Sequence, residues 1–310
     1  MQHAQRLLSN TPSLKGKNGT LPTGIGFINW GADLAASLPI ITRYRPAAVW
    51  FFAPSSLPSL AEWAEKSRKA CPETKVWVQV GSVAEAMETV REVRPDVLVV
   101  QGTDAGGHGL ARGAGLISLL PEVDDAVEEY FEGSGSVGGG SDGRGNGKGR
   151  RPVIIAAGGI TESRSASAAF LLGSSGVVIG TRLLATPQAR ISAGYRNEVL
   201  RAADGGQTTV RTKVYDSLRR TNWAESHNAR GIVNKSFEDA ESGLSEEQNR
   251  RLYKEEVKKG DEGWGVKGRM TTYAGSGVGL VREVMEAGDV VKEIRDGVRE
   301  ILGGEGKTKL

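Results

Sequence analysis

Cysteine is almost absent: Cys71 stands alone among 310 residues, which excludes an intramolecular disulfide and a thiolate metal cluster and fits a reducing compartment. No apolar run approaches the roughly 20 residues that cross a bilayer, so no membrane span is expected; the longest, residues 47–53, reads as a buried strand. Histidine is scarce as well, with three in the chain. No His-x-x-x-His pair or clustered carboxylate pattern points to a metal, and no Gly-x-Ser-x-Gly elbow points to a serine hydrolase. Net charge is only +3, and the basic residues are scattered rather than gathered into a stripe. That argues against a nucleic-acid partner, while a mildly basic balance suits an anionic ligand.

Addressing signals are equally thin. The first twenty residues lack Asp and Glu and carry Arg6, Lys15 and Lys17, in the manner of a mitochondrial transit peptide, but residues 4–9 read better as part of a helix. Thr308-Lys309-Leu310 resembles a peroxisomal tripeptide with Thr where Ser is expected. The cytoplasm is the expected compartment, with the mitochondrion and the peroxisome left open.

What the chain does have is a repeated unit: a short apolar run, a Gly- or Ser-rich turn, then a helical stretch. The runs are residues 24–28, 47–52, 75–80, 96–101, 152–157 and 176–179. They are rich in Val, Ile, Phe and Trp without polar alternation, the composition of strands buried on both faces of a parallel sheet. Ser59 with Glu62 and Ser82 with Glu85 read as capping boxes, and Thr161 as an N-cap for a helix over 162–172 that Gly173 ends. Most strands follow one another at crossover spacing, so the fold class is α/β with a parallel sheet.

Three departures from this rhythm suggest a division of the chain. Residues 133–151 are Gly, Ser, Asp, Lys and Arg with almost nothing to bury, so a disordered surface loop is expected over 132–151. Residues 1–187 then form the barrel portion. Residues 188–270 are polar and read as a helical insertion or lid, with Trp223 and Trp264 as isolated apolar anchors. Residues 271–310 return to regular structure, with a Gly-rich stretch at 275–279 and a helix opened by Asp289.

Two glycine turns follow neighbouring strands, one at Gly158-Gly159 and one at Gly180-Thr181, and each opens a helix. Backbone N–H groups at such a turn cradle a phosphate well. The alternative is that glycine merely permits a tight turn, but two such turns on the last two strands are the usual phosphate site of a TIM barrel. His108 follows a buried strand directly, flanked by Gly106, Gly107 and Gly109. The active face of a parallel sheet lies at its C-terminal strand ends, where an imidazole can act as base or acid; a surface or supporting histidine is the competing reading. His3, His227 and Cys71 read as structural.

The run from Gln101 to Gly109 (Gln-Gly-Thr-Asp-Ala-Gly-Gly-His-Gly) closely resembles the histidine loop of nitronate monooxygenases. Ile155-Ala156-Ala157-Gly158-Gly159-Ile160 and Gly176-Val177-Val178-Ile179-Gly180-Thr181 resemble that family's two flavin phosphate loops. The similarity spans residues 21–302. It implies a (β/α)8 TIM-type barrel with FMN at its mouth. Carried over by motif, Gly158, Gly159, Gly180 and Thr181 would hold the FMN phosphate. Gln101 and the backbone of Ala105, Gly106 and Gly107 would lie near the flavin ring, with Ser276 also close. His108 would take the proton beside a nitro group, and FMN and dioxygen would carry the oxidation of the nitronate or nitroalkane to a carbonyl compound and nitrite. The family opens with two strands that have no counterpart among the six read here. The barrel is therefore expected to be incomplete at its N-terminal side, with exposed edges through which the chain would self-associate. Two alternatives stay open: a flavin-dependent enoyl-thioester reductase of the same superfamily, which lacks support from a dinucleotide fingerprint, and a truncated, non-catalytic relic.

Overall fold

The computed structural model describes residues 1–9, 16–132 and 149–303; most of the expected loop at 132–151 lies outside them. Along the chain come α1 (Gln2–Ser9), β1 (Leu21–Ile28), α2 (Leu34–Tyr44), β2 (Pro46–Phe52), α3 (Leu57–Ala70), β3 (Lys75–Val80), α4 (Val83–Glu92), β4 (Val97–Gln101), β5 (Gly107–Leu110) and α5 (Leu116–Glu132). There follow β6 (Val153–Ala157), α6 (Ser163–Leu171), β7 (Val177–Val178), α7 (Thr181–Leu184), α8 (Ala193–Arg201), α9 (Gly205–Thr208) and β8 (Thr209–Thr212). The last elements are α10 (Val214–Arg219), β9 (His227–Ile232), α11 (Lys235–Glu241), α12 (Glu246–Lys258) and α13 (Ala287–Leu302). By internal contacts the chain divides into two compact units, Met1–Val100 with Pro121–Ile155, and Gln101–Leu120 with Ala156–Leu310.

All six expected strands form, and they pair in the order β1-β2-β3-β4-β6-β7. In the first unit the pairing is parallel, Trp50 beside Trp77 and Val78 beside Leu98, with one register shift between Leu21 and Gly24 of β1. The expected burial on both faces holds in β4 and β6 only: in β2 and β3 it alternates, with Val49, Phe51 and Val76 fully buried, and β1 at the sheet edge has no buried residue. Trp63 of α3 packs its ring 5.1 Å from Phe27 of β1, so the helix covers the sheet with its largest side chain. Among the described residues, β1 and β7 each have one sheet neighbour.

Helix starts differ from the sequence reading in detail. α3 is capped by Ser56, whose Oγ accepts from Ser59 N at 3.2 Å, rather than by Ser59; Pro58 near the helix start suits the first turn, where no donor is lost. Ser82 does cap α4, but the Glu85 carboxylate reaches Gly81 N instead of closing the box on Ser82. For α6 the cap is Glu162, in a full box with Ser165, not Thr161. The final helix starts at Ala287, two residues before Asp289.

The second unit holds the larger departure. Residues 188–270 are not helical throughout: β8 and β9 lie there and form an antiparallel sheet with β5, ordered β5-β9-β8. These strands are short and carry Thr, Arg, Asn and Gly, so neither the apolar run nor a clean period-2 pattern announces them. Their partner is the histidine strand, which pairs Gly107 with Arg230, His108 with Ala229 and Leu110 with His227. Behind the sheet, Tyr215 of α10 is fully buried and donates to the Ile232 carbonyl at 2.6 Å.

Candidate active site

Every candidate catalytic or cofactor-binding residue read from the sequence falls within the second unit. There β6 and β7 pair Ala156 with Val177 and Ala157 with Val178, so the two glycine turns leave adjacent strands at the same end. Gly158 and Gly159 have φ of +99° and +74°, a region that only glycine enters without strain. A Cβ on Gly158 would lie 2.9 Å from Gly102 O, which shows how tightly this turn seats against the histidine loop. At Gly180 an added Cβ would meet nothing within 4 Å.

The backbone N–H groups of Gly159, Gly180 and Thr181 donate to no protein acceptor among the described residues, whereas that of Gly158 continues the β6–β7 ladder. Three unused donors on neighbouring strand ends suit a phosphate group, which accepts several such bonds at once; the FMN phosphate fits this chemistry. The late Gly-rich stretch joins the same place. Gly275 N donates to Thr181 Oγ1 at 2.9 Å, and Ser276 Oγ to Asp104 Oδ1 at 2.9 Å. A cavity of about 270 Å³ opens beside the first turn, with Asp104, Gly158, Gly159, Ser276 and Gly277 in its wall.

The histidine loop is held by close backbone contacts. Gly102 N donates to Ala157 O at 2.9 Å, and Ala105 N to Gly102 O at 3.1 Å. A Cβ on Gly106 would stand 2.5 Å from the backbone of Ala274 and Gly275, so the chain can pass there only as glycine. Gly107, with φ +73°, faces open space. Gln101 Nε2 donates to the His108 carbonyl at 3.3 Å, linking the end of β4 to β5.

The imidazole of His108 is enclosed. Its Nε2 lies 2.8 Å from Asp216 Oδ1, with the side chains 13% and 6% exposed. A carboxylate only accepts, so Nε2–H donates and Nδ1 is left as the nitrogen that can take a proton. Thr221 Oγ1 donates to the same Asp216 oxygen at 2.8 Å, whereas the buried Oδ2 has no hydrogen-bond partner. Trp223 stacks flat on the imidazole, centroids 3.8 Å apart and planes 9° from parallel. Tyr273 meets the ring edge-on at 5.4 Å. Burial, with Asp216 nearby, pushes the Tyr273 phenol up despite the opposing Arg219, so it remains a neutral donor at physiological pH.

His227 is not in a helical excursion. It sits on β9, two residues from Ala229 and thus on the same face as His108, and is 9% exposed. Burial foremost, then the charges of His108, Arg211 and Lys213, hold its pKa below the ordinary 6.5, favouring the neutral ring.

Asp216, Thr221 and Tyr273 were not visible from sequence. Asp216 is 108 residues from His108 and lies in a polar stretch with many carboxylates, where nothing marks it. Trp223 did leave a signal, as an isolated large aromatic in a polar segment, but its use as a lid on the imidazole could not be read from that.

The family model described as nitronate monooxygenase matches residues 40–297. Nitronate monooxygenase npaC of Metarhizium robertsii is 44% identical over 308 residues, covering 97% of this chain and 80% of that protein. Among solved structures, FabK from Thermotoga maritima superposes with a TM-score of 0.66 at 20% identity, covering 96% of this chain and 81% of that one. A nitroalkane oxidase from Streptomyces ansochromogenes gives 0.65 at 20% identity, covering 98% and 87%. At such identities the two structures speak to the fold alone, and they agree with the TIM-barrel type expected from the sequence.

Proposed function

Because the chain belongs to the nitronate monooxygenase family, we propose that it oxidises alkyl nitronates, and nitroalkanes after removal of their α-proton, with FMN and dioxygen, to a carbonyl compound and nitrite. The observation that carries this reading is the pairing of His108 with Asp216 beside a set of unused backbone donors on the β6 and β7 turns. The protein's own part is positioning and proton transfer. Gly158, Gly159, Gly180 and Thr181 bind the phosphate, and Gln101 with the backbone of Ala105, Gly106 and Gly107 lines the place for the ring. Ser276 is held near both by Asp104. His108 Nδ1 receives the proton from the carbon that bears the nitro group, and the Asp216 carboxylate stabilises the imidazolium that results. Redox chemistry is what a bound FMN would supply.

The experiment is the visible absorption spectrum of the purified protein before and after heat denaturation. Release of FMN in about equimolar amount supports the reading. A colourless protein that also fails to take up added FMN overturns it.

A further inference from the structure

Strands β8 and β9 set Arg211 directly opposite Arg230. Opposed residues of an antiparallel pair share a face, with Cβ atoms about 4.5–5.5 Å apart, and like charges there repel. Neither guanidinium enters an ion pair among the described residues; their hydrogen bonds all go to neutral acceptors. Arg211 Nε donates to Asn228 Oδ1 at 2.9 Å and Nη2 to the Asn228 carbonyl at 2.8 Å. Arg230 Nε donates to the Thr103 carbonyl at 3.1 Å and Nη1 to Thr209 Oγ1 at 3.1 Å. That leaves Arg211 Nη1 and Arg230 Nη2 without a protein acceptor among the described residues.

The next residue in this row is Gly107, opposite Arg230. Gly109 lies on the same face, where a Cβ would stand 3.3 Å from Arg211 Nη2 and 2.9 Å from Gln101 Oε1. The histidine strand thus adds no side chain to the face the two guanidiniums share. Burial, and then the charge of Arg230, bring Arg211 down to about 10; burial also lowers Arg230, with Asp104 opposing. Both remain charged at neutral pH; Asp104 offsets part of the cost at Arg230, and no carboxylate does so at Arg211. A structural clip accounts for one of them, since Arg230 ties β9 to the Thr103 carbonyl. Arg211 likewise ties β8 to Asn228 of β9, but two such clips do not call for two cations side by side on one face.

We infer that Arg211 and Arg230 form a binding site for a small planar oxyanion, the class that includes both a nitronate and nitrite; two guanidiniums offer such an anion paired, coplanar donors. The imidazole of His108 lies on the opposite face, in the row His108, Ala229, Thr212. The anion held by the arginines is therefore one that has already lost its proton. Naming nitronate and nitrite rests on the proposed function; the anion site itself rests on the arginine pair.

The test is thermal unfolding of the purified protein with increasing sodium nitrite, ethyl nitronate under argon, or sodium chloride at matched ionic strength. The expected result is a saturable rise in midpoint with nitrite, nitronate or both, beyond that with chloride. The apparent affinity should fall by about tenfold in Arg211→Gln and in Arg230→Gln. A response to nitronate alone marks a substrate subsite and one to nitrite alone a product site; either supports the inference. No saturable rise, an equal response to chloride, or a rise unchanged in the variants overturns it. If Arg230→Gln fails to fold for want of its Thr103 contact, Arg211→Gln and Arg211→Lys preserve that contact and carry the test. Absent nitronate turnover with the anion response intact counts against the proposed function and leaves the site standing; intact turnover without the response does the reverse.

Discussion

At the ends of β6 and β7 the available donors are backbone N–H groups, on Gly159, Gly180 and Thr181. Around His108 every functional atom belongs to a side chain: the Asp216 carboxylate, the Thr221 hydroxyl, the Trp223 indole and the Tyr273 phenol. The first region works by leaving atoms out. Gly159 and Gly180 present their donors with no Cβ alongside, and Gly158 and Gly159 hold the positive φ that shapes the first turn. The second region is crowded, its imidazole stacked by Trp223, met edge-on by Tyr273 and hydrogen-bonded at Nε2. Binding by absence tolerates few substitutions but needs little from the rest of the chain. Activation by crowding needs several distant segments to arrive together.

If this contrast is right, the two regions should fail separately. His108→Ala should lower turnover of neutral nitroalkanes by about 10²–10⁴-fold, the usual worth of a positioned base, while sparing much of the activity on preformed nitronates and leaving flavin content unchanged. Equal loss on both substrates, measured by steady-state oxygen uptake, would remove His108 from the base role. Gly158→Ala should act in the other direction. The φ of +99° and the 2.9 Å approach to Gly102 O give a strain of about 1–3 kcal/mol, seen as a lower thermal midpoint together with loss of bound flavin. A variant that keeps its flavin would show that the turn is structural punctuation only.

A finer test separates charge from shape on the histidine face. Asp216→Asn retains an acceptor for His108 Nε2–H but removes the charge that stabilises the imidazolium. Turnover of neutral nitroalkanes should drop by at least about tenfold and its pH profile should move, with flavin content and nitronate turnover little changed. An unaltered pH profile would make Asp216 a packing residue. The smallest effect concerns His227. Its folded pKa lies below the ordinary 6.5, so the unfolded chain binds the proton more readily. The stability from its neutral ring is full above pH 6.5 and is lost as pH falls through the folded value. Thermal midpoints measured from pH 7.5 down to 5 should fall less in His227→Asn than in the parent; identical slopes would refute the assignment.

The six strands of the parallel sheet could be read from the chain as consecutive apolar runs, although burial on both faces holds only for β4 and β6, and in β2 and β3 it alternates. The glycine turns and the histidine loop were legible for a related reason: a positive φ or a close backbone approach permits few residues other than glycine, so the requirement is written locally. The β5-β9-β8 sheet was not legible. Its strands draw their stability from one another and from Tyr215 beneath, and a run such as Thr209–Thr212 carries no local preference strong enough to declare itself. The Arg211 and Arg230 pair depends on the register of that sheet and so was hidden with it.

From its sequence alone, then, this protein had a parallel α/β sheet, two glycine turns and a histidine loop flanked by glycines, because each rests on what a few adjacent residues can physically adopt. Only the tertiary structure decided which nitrogen of His108 is engaged, what covers the ring and which charges share a face. Those outcomes depend on distances between segments separated by about a hundred residues, as between His108 and Asp216, and no local property of the chain encodes them.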